Sequence, residues 1–322
     1  MKSIRTWLSG SALLLATAAW GAVPAHPGML NYVEGQARIA GQSVTSINVG
    51  TADVREGQVI ETGSGKAEVL LTPGVFLRLG ENSAVRMDSA GLTDTRVAVL
   101  GGRVMIEADN LHKQNNIQVQ DGPAVARLEK NGIYAFSTNP GTVETFDGKV
   151  EVSEDDRNVD LGKGHEAQLQ APLQSQKFDR KAAEKDSLYQ WSKLRSEYLA
   201  EANIESAQTL VVNNGGWYGG GWYWNPWFAS YAWVPGDGMF WSPFGYGFYS
   251  PFSVWSAPVY FYGGGHRGFY RGGYRGGSRT PVINRGFVGG ARPSFHSGFG
   301  GRAMGGGFHG RAMGGGFHGG RR

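Results

Sequence analysis

The 322-residue sequence contains no cysteine. Disulfide bonds, thiolate catalysis and cysteine metal sites are therefore excluded. A lipoprotein anchor is excluded as well, because it requires a cysteine after the cleavage site. Without covalent cross-links, the chain must be held together by core packing or by association.

Long apolar runs are also scarce, and the one that stands out is N-terminal. Residues from Trp7 to Val23 are apolar or small, and small residues at Ala22 and Ala25 offer cleavage points. This arrangement predicts a secretory signal peptide over residues 1–25. The run is shorter than the roughly 18–20 residues that cross a bilayer, and an uncleaved anchor is the alternative. Either interpretation predicts an exported protein, periplasmic or at the cell surface or extracellular. If the signal peptide is cleaved, we expect no transmembrane segment in the mature protein.

Acidic residues are nearly absent from the C-terminal third. Residues 213–322 contain ten Arg, no Lys and a single acid, Asp237, whereas residues 26–212 contain 19 Lys+Arg and 26 Asp+Glu. The two parts therefore carry net charges of +9 and −7, which the overall charge of +4 conceals. Opposite charges of this size indicate two physically different parts.

Turn residues interrupt residues 28–173 at short intervals. Pro73-Gly74 separates two β-prone runs, and Gly101-Gly102 and Asp147-Gly148 are each flanked by alternating apolar residues. All three are interpreted as hairpin turns, at which glycine supplies a positive φ. Short strands without intervening helices predict an all-β sandwich or roll over residues 28–173.

Residues 178–208 contain no Gly or Pro and predict one long helix, with room for one break. Its apolar face recurs at three- and four-residue spacing and consists of Leu188, Trp191, Leu194 (or Arg195) and Tyr198. Asp179 or Ser187 is the expected N-cap. We expect this face to pack on the β-domain, with partner binding as the alternative.

Leu, Ile and Val are absent from residues 217–233, in which nine of 17 residues are aromatic. This stretch belongs to an aromatic Gly/Pro-rich extension, predicted over residues 213–262. Residues 263–322 are rich in Gly, Arg and His and contain the nonapeptide GRAMGGGFH twice. Their composition predicts a largely disordered tail.

The rings of the extension allow three interpretations. They can bind a sugar face or a partner protein, lie at a membrane interface, or fold back as core. The candidate binding residues among them are Trp217, Trp222, Trp224, Trp227, Trp233 and Trp241.

The Arg-rich tail contributes the further binding candidates Arg267, Arg271 and Arg275. Arginine pairs with phosphate and carboxylate, and an exported chain rarely meets RNA. We therefore expect an anionic envelope polymer or an envelope protein as partner, and no nucleic acid. A solubilising tail without a fixed partner, and attraction between the tail and the acidic domain, are the alternatives.

Motifs of catalysis and metal binding are not recognisable. The sequence has no GxSxG, HExxH or Walker loop, and no GxGxxG between a strand and a helix. Glu154-Asp155-Asp156 lacks the ligand spacing of a calcium loop, and the tail histidines are scattered. We predict a non-enzymatic protein without a metal or cofactor.

A set of short motifs spans residues 30–169. These are Gly57 with Ile60-Glu61-Thr62-Gly63, Ala67-Glu68-Val69, Gly74 with Leu77-Arg78-Leu79, Asn82-Ser83, and Gly101-Gly102-Arg103-Val104, followed by TVETFDGKVEV and LGKGHEA. The set resembles the FecR-type periplasmic domain, a family known from iron-dicitrate signalling. The resemblance implies a binding or sensory β-domain.

Signalling members of that family also have a cytoplasmic helical domain that meets a sigma factor, and one membrane crossing. We expect neither of them here, so the resemblance implies the domain and not the signalling circuit. The segment WYWNPWFASYAWVPGDGMFWSPFGYGFYSP resembles the C-terminal extension of certain exported FecR-domain proteins, some of the acidobacterial kind.

Together these observations predict a non-enzymatic exported envelope protein. Its FecR-like β-domain is expected to bind or sense, and its basic aromatic tail to contact an anionic surface polymer or a protein partner. One alternative is a periplasmic signal-transduction accessory of a FecR-type sensory system. Another is a hydrolase that acts on polysaccharide.

Overall fold

The computed structural model describes residues 24–169, 172–212 and 219–257, all of which lie in one compact unit. The protein is mainly β, with one long helix after the β-domain, as the sequence predicts. The predicted tail over residues 263–322 and nearly all of the predicted signal peptide lie outside the described residues.

Fifteen strands form one sheet within the described residues. They are β1 (Leu30–Ile39), β2 (Gln42–Val44), β3 (Val59–Thr72), β4 (Val75–Leu79), β5 (Ala84–Gly91), β6 (Asp94–Gly101), β7 (Arg103–Ala108), β8 (Ile117–Asp121), β9 (Ala124–Leu128), β10 (Gly132–Thr138), β11 (Gly141–Asp147), β12 (Lys149–Glu154), β13 (Arg157–Gly162), β14 (His165–Gln168) and β15 (Gln176–Lys177).

The sheet is folded back on itself. Its order is β13-β12-β9-β8-β6-β5-β3-β4-β7-β10-β11-β14-β15, with β1 beside β3 and β2 beside β1. The long strand β3 pairs with β5 near its start and with β4 near its end, so it belongs to both layers. Strand β10 of one layer contacts β6 and β8 of the other, and Val and Leu side chains fill the space between the layers. This is the predicted sandwich or roll.

Two of the three predicted hairpins are wrong. Pro73-Gly74 does join the paired strands β3 and β4, but β6 does not pair with β7, nor β11 with β12. At Gly101-Gly102 and at Asp147-Gly148 the chain leaves one part of the sheet and enters another. Gly102 and Gly148 have the expected positive φ, +78° and +94°. The local sequence therefore sets the bend, whereas the strands' partners are chosen by long-range packing.

The predicted helix is broken once, into α1 (Arg180–Ala183) and α2 (Ser187–Val212). Asp179 caps α1 as expected, and its side chain accepts a hydrogen bond from the Ala182 amide at 3.1 Å. The cap of α2 is Asp186 and not Ser187, because the Asp186 carboxylate accepts the amides of the next turn.

The buried face of α2 is half apolar and half polar. It consists of Leu188, Ser192, Arg195, Ser196, Leu199, Ala200, Ala202, Asn203, Ser206 and Ala207. Arg195 is buried and Leu194 is exposed, so the second of the two expected positions is the inward one. Of the other predicted face residues, Leu188 is buried, whereas Trp191 and Tyr198 are half-buried at the edge of this face.

The extension folds into two hairpins. They are β16 (Gly221–Asn225) with β17 (Ser230–Val234), and β18 (Met239–Trp241) with β19 (Gly247–Tyr249). Together with α2 they cover the outer face of the layer that contains β4, where Leu70 and Phe76 pack against Leu199, Trp233 and Phe248. The helix and the extension thus share a core with the β-domain, and the predicted division into separate domains stays a prediction.

Candidate functional site

A network of buried charges lies beneath α2. Strand β4 is buried on both faces: Leu77 and Leu79 point between the two layers, whereas Arg78 lies on the side that α2 covers. Arg78 is fully buried between two carboxylates, with Nε 2.7 Å from Glu68 Oε2 and Nη1 2.6 Å from Glu107 Oε2. Both carboxylates are also fully buried.

Helix α2 supplies the other half of this network. Arg195 Nη2 lies 2.9 Å from Glu68 Oε1, and its guanidinium group lies over the Tyr32 ring at 4.1 Å. Ser196 donates a hydrogen bond to Glu107 Oε1 at 2.6 Å. Both acids on the sheet are therefore held from the helix, Glu68 by a buried ion pair and Glu107 by a hydrogen bond.

The network divides its acids into two protonation states. Burial by itself raises the pKa of Glu68, but the charges of Arg195 and Arg78 and their hydrogen bonds outweigh burial and lower this pKa to about 2. Asp109 lies two residues beyond Glu107 and is fully buried. Burial together with the Glu107 charge raises its pKa well above the ordinary value. Glu68 is therefore ionised at neutral pH, whereas Asp109 is shifted towards its protonated form.

Two buried asparagines hold the edges of the hairpins. The Asn31 side chain accepts the Tyr231 amide at 2.7 Å and donates to the Tyr231 carbonyl at 3.1 Å, as a neighbouring strand would. Asn203 on α2 accepts the Tyr249 amide at 2.7 Å and donates to the carbonyls of Trp233 and Tyr249 at 2.9 and 3.0 Å. Buried backbone groups need such partners, so these side chains fix the extension in place.

A third asparagine, Asn225, joins the first hairpin to the end of α2. Its Nδ2 donates to the Ala202 carbonyl at 3.1 Å and to Ser206 Oγ at 3.2 Å. Its Oδ1 accepts the Trp227 amide at 2.9 Å and thereby shapes the β16–β17 turn. The turn that carries Trp227 is therefore rigidly attached to the helix.

The structure separates the tryptophans that the sequence singled out. Trp233 is 1% exposed and packs against Phe240 and Phe248, in the cluster that also contains Leu70 and Phe76. It therefore has no exposed face for a ligand. Trp222 and Trp224 are half-buried, and Trp224 also packs against the β-domain core and against Tyr231. Packing within the protein therefore covers most of the surface of these three rings.

Within residues 219–257, four large rings of the extension are exposed to solvent. Trp227 is 78% exposed, Trp241 60%, Phe252 75% and Trp255 67%, and we call these four the exposed ring set. Trp241 lies opposite Gly247 in its hairpin, so its direct cross-strand partner has no side chain. Phe252 and Trp255 follow β19 in a turn that is tied back to the start of β18 by the Ser250 amide, 3.0 Å from the Gly238 carbonyl.

The remaining predicted binding residues, Trp217, Arg267, Arg271 and Arg275, lie outside the described residues. Within the described part of the chain, no helix is long and apolar enough to cross a membrane. The same part contains no group of three or more His, Asp or Glu side chains arranged to hold a metal ion.

Sequence reasoning missed the buried polar residues that attach the extension. Arg78 was visible as a charge within the apolar strand VFLRL, and Glu68 as a charge within AEVLL. A charge inside a continuous apolar run indicates a buried ion pair when both faces of the strand are covered. Asn31 and Asn203 gave no comparable signal, because their partners are backbone groups distant in sequence.

The comparisons with known proteins concern the β-domain. Residues 58–151 match the model of the family described as FecR protein. No curated protein matches the chain. Two similar solved structures are crystal structures of a "putative anti-sigma factor" from Parabacteroides distasonis ATCC 8503, at 1.65 and 2.50 Å resolution. They are 13% and 14% identical to this chain, with TM-scores of 0.34 and 0.35.

The alignments cover 39% and 40% of this chain and 62% and 64% of the two solved chains, less than two thirds of their length. The family match begins just before β3 and ends within β12. It therefore includes Glu68, Arg78 and Glu107, the three network residues of the sheet. The chain carries a FecR-type domain at residues 58–151.

Proposed function

We propose that this protein is an exported, non-enzymatic binding protein with a FecR-type sensory β-domain. Its exposed ring set and its Arg-rich tail contact an anionic envelope polymer or an envelope protein. The observation that carries the proposal is the division of the extension: Trp233 and Phe248 complete the core, whereas Trp227, Trp241 and Trp255 are exposed to solvent in the hairpins and in the turn that follows them.

The chemistry of these rings favours a polar partner. Tryptophan combines a flat apolar face with one polar edge and is common where binding energy is concentrated. Burial in lipid would need exposed Leu, Ile or Val side chains around the rings, and the described residues of the extension expose none. A sugar face or a protein surface therefore suits the exposed ring set better than a membrane interior.

The tail adds the electrostatic part of the proposal. The extension continues directly into a segment with ten Arg, and Asp237 is the only acid after residue 212. Arginine binds phosphate and carboxylate in bidentate fashion. Contacts of this kind between exposed charges weaken as salt screens them, which gives the proposal a measurable signature.

Co-sedimentation with purified cell envelopes tests the proposal. A chain that ends at Val212 is unsuitable, because it lacks the hairpins that cover Leu70 and Phe76. We would instead compare the wild-type chain with two full-length variants. One carries all ten tail arginines as glutamine, and the other carries Trp227→Ala, Trp241→Ala and Trp255→Ala.

The wild-type chain should pellet at low salt and be released at high salt, and each variant should pellet less. Equal pelleting of all three proteins would move recognition to the β-domain. That result would favour the second candidate function, a signal-transduction accessory, which the FecR match at residues 58–151 supports. A wild-type chain that stays in the supernatant at low salt would refute contact with the envelope.

A further inference from the structure

A basic groove opens on the β-domain, and all of its lining residues belong to that domain. It lies between the loop that follows β7, the end of β9 and the start of β12, and its volume is about 450 Å³. Its lining consists of Leu111, His112, Lys113, Asn116, Arg127, Leu128, Glu129, Lys130 and Lys149. The groove thus has four Lys or Arg side chains and one His, against a single acid.

That charge is opposite to its surroundings. Residues 26–212 carry a net charge of −7, yet this lining has a net charge of +3 with His112 neutral. Cations that gather at one place on an acidic domain attract small anions from solution and repel one another when the place is empty. With Glu151 and Asp160, the two carboxylates outside the lining that pair with these cations, four cations face three acids, and the net charge is +1.

Two of the cations are fixed by carboxylates outside or at the rim of the groove. Arg127 Nη2 lies 2.6 Å from Glu151 and 3.1 Å from Glu129. Lys149 Nζ lies 2.9 Å from both Glu129 and Asp160. These ion pairs hold both side chains at the groove and neutralise most of their charge.

The other two cations, Lys113 and Lys130, have no carboxylate within 4.0 Å in the described part of the chain. Both are exposed, and they come from different segments, the loop after β7 and the end of β9. Leu111, which is half-buried, adds apolar surface to the lining. The groove therefore offers two unneutralised ammonium groups and an apolar side chain.

We propose that this groove binds a small organic polyanion with at least two carboxylate or phosphate groups. Lys113 and Lys130 each neutralise one anionic group, and His112 adds a hydrogen-bond donor. The carbon skeleton of the ligand lies over Leu111. The volume falls within the range of roughly 300–1,000 Å³ that is usual for small-molecule sites. None of the lining residues belongs to the exposed ring set or to the Arg-rich segment, so the proposal can be tested apart from the proposed envelope contact.

Calorimetric titration of the full-length chain tests the proposal, with digalacturonate as the carboxylate probe and glucose 1,6-bisphosphate as the phosphate probe. The test variant carries Lys113→Gln and Lys130→Gln. The matched control carries Lys181→Gln and Lys185→Gln, which replace two exposed lysines in and just after α1. Both variants lose the same charge, and all four positions are exposed, so neither change removes buried contacts.

At low salt we expect saturable one-site binding of at least one probe by the wild-type chain and by the control. The Lys113/Lys130 variant should bind that probe at least tenfold more weakly. The probe that binds tells a carboxylate ligand from a phosphate ligand. Absence of saturable binding of both probes would overturn the proposal, and so would an equal loss in both variants. Either result would leave the envelope contact standing, because co-sedimentation measures that contact with different variants.

Discussion

Removal of the Glu68 charge should loosen the whole layer formed by α2 and the extension. Glu68 accepts from Arg78 at 2.7 Å, from Arg195 at 2.9 Å and from Asn31 at 2.9 Å, and its side chain is fully buried. In Glu68→Gln, two buried guanidinium groups lose their shared counter-charge. One partner left alone in a buried ion pair typically costs about 3–5 kcal/mol.

The pKa of Glu68 gives an independent magnitude. Its depression from 4.5 to about 2 corresponds, at about 1.4 kcal/mol per pH unit, to about 3 kcal/mol of stabilisation. Because the folded pKa is depressed, this stabilisation is fully present above pH 4.5 and is lost as the pH falls towards 2. Both routes predict a loss of about 3 kcal/mol or more at neutral pH.

Urea unfolding at pH 7 measures this loss, with tryptophan fluorescence for the extension and far-ultraviolet circular dichroism for the fold as a whole. Glu81→Gln is the matched control, since Glu81 is exposed and faces Lys66 at 3.5 Å. Exposed pairs contribute about 0–1 kcal/mol, so the control should barely differ from wild type. A loss below about 1 kcal/mol in Glu68→Gln, or an equal effect in both variants, would refute the view that charges hold this layer in place.

Three further predictions concern the same layer. Asn203→Ala leaves one buried amide and two buried carbonyls without the Asn203 side chain, so we expect the free energy of unfolding in urea to fall by about 3 kcal/mol. The control Gln208→Ala removes an exposed amide side chain from the same helix and should lower it by less than about 0.5 kcal/mol. Trp233→Ala should cost about 3–5 kcal/mol because its ring is fully buried, whereas Trp241→Ala should stay within about 0.5 kcal/mol, and equal losses would contradict the division of the extension into core and exposed rings. The pKa of Asp109 is raised in the folded protein, so its contribution to the free energy of unfolding is fully present below pH 3.8 and is lost as the pH rises through the folded value. The stability of Asp109→Asn should therefore increase relative to wild type from acid to neutral pH. A stability difference that does not change with pH would contradict the raised pKa.

The β-region shows how far local patterns reach. The pair Pro73-Gly74 and its flanking runs predicted β3 and β4 correctly, because their partners are adjacent in sequence. The patterns around Gly101-Gly102 and Asp147-Gly148 look equally clear, yet their strands pair elsewhere. A turn signal reports that the chain bends, and it contains no information on whether the two strands stay together afterwards.

The candidate site was predictable in part. Composition identified the aromatic stretch as unusual, and the exposed ring set lies partly within the residues singled out, at Trp227 and Trp241. Phe252 and Trp255 were not singled out, although they are as exposed. The groove at Lys113 and Lys130 had no sequence signal, because its walls come from strands and a loop that meet only in the folded sheet.

The sequence by itself determined the mainly β character, the position of the helix, the FecR-type motifs and the opposite charges of the two parts. These properties follow from short-range periodicity, from turn residues and from composition, each of which is written into a few neighbouring positions. The tertiary structure decided which strands pair, that Glu68 meets Arg195 across 127 positions of sequence, and which rings are buried. The physical reason is that a charge or a ring has no fixed role of its own, since burial against a distant partner decides whether it stabilises the core or remains free to bind.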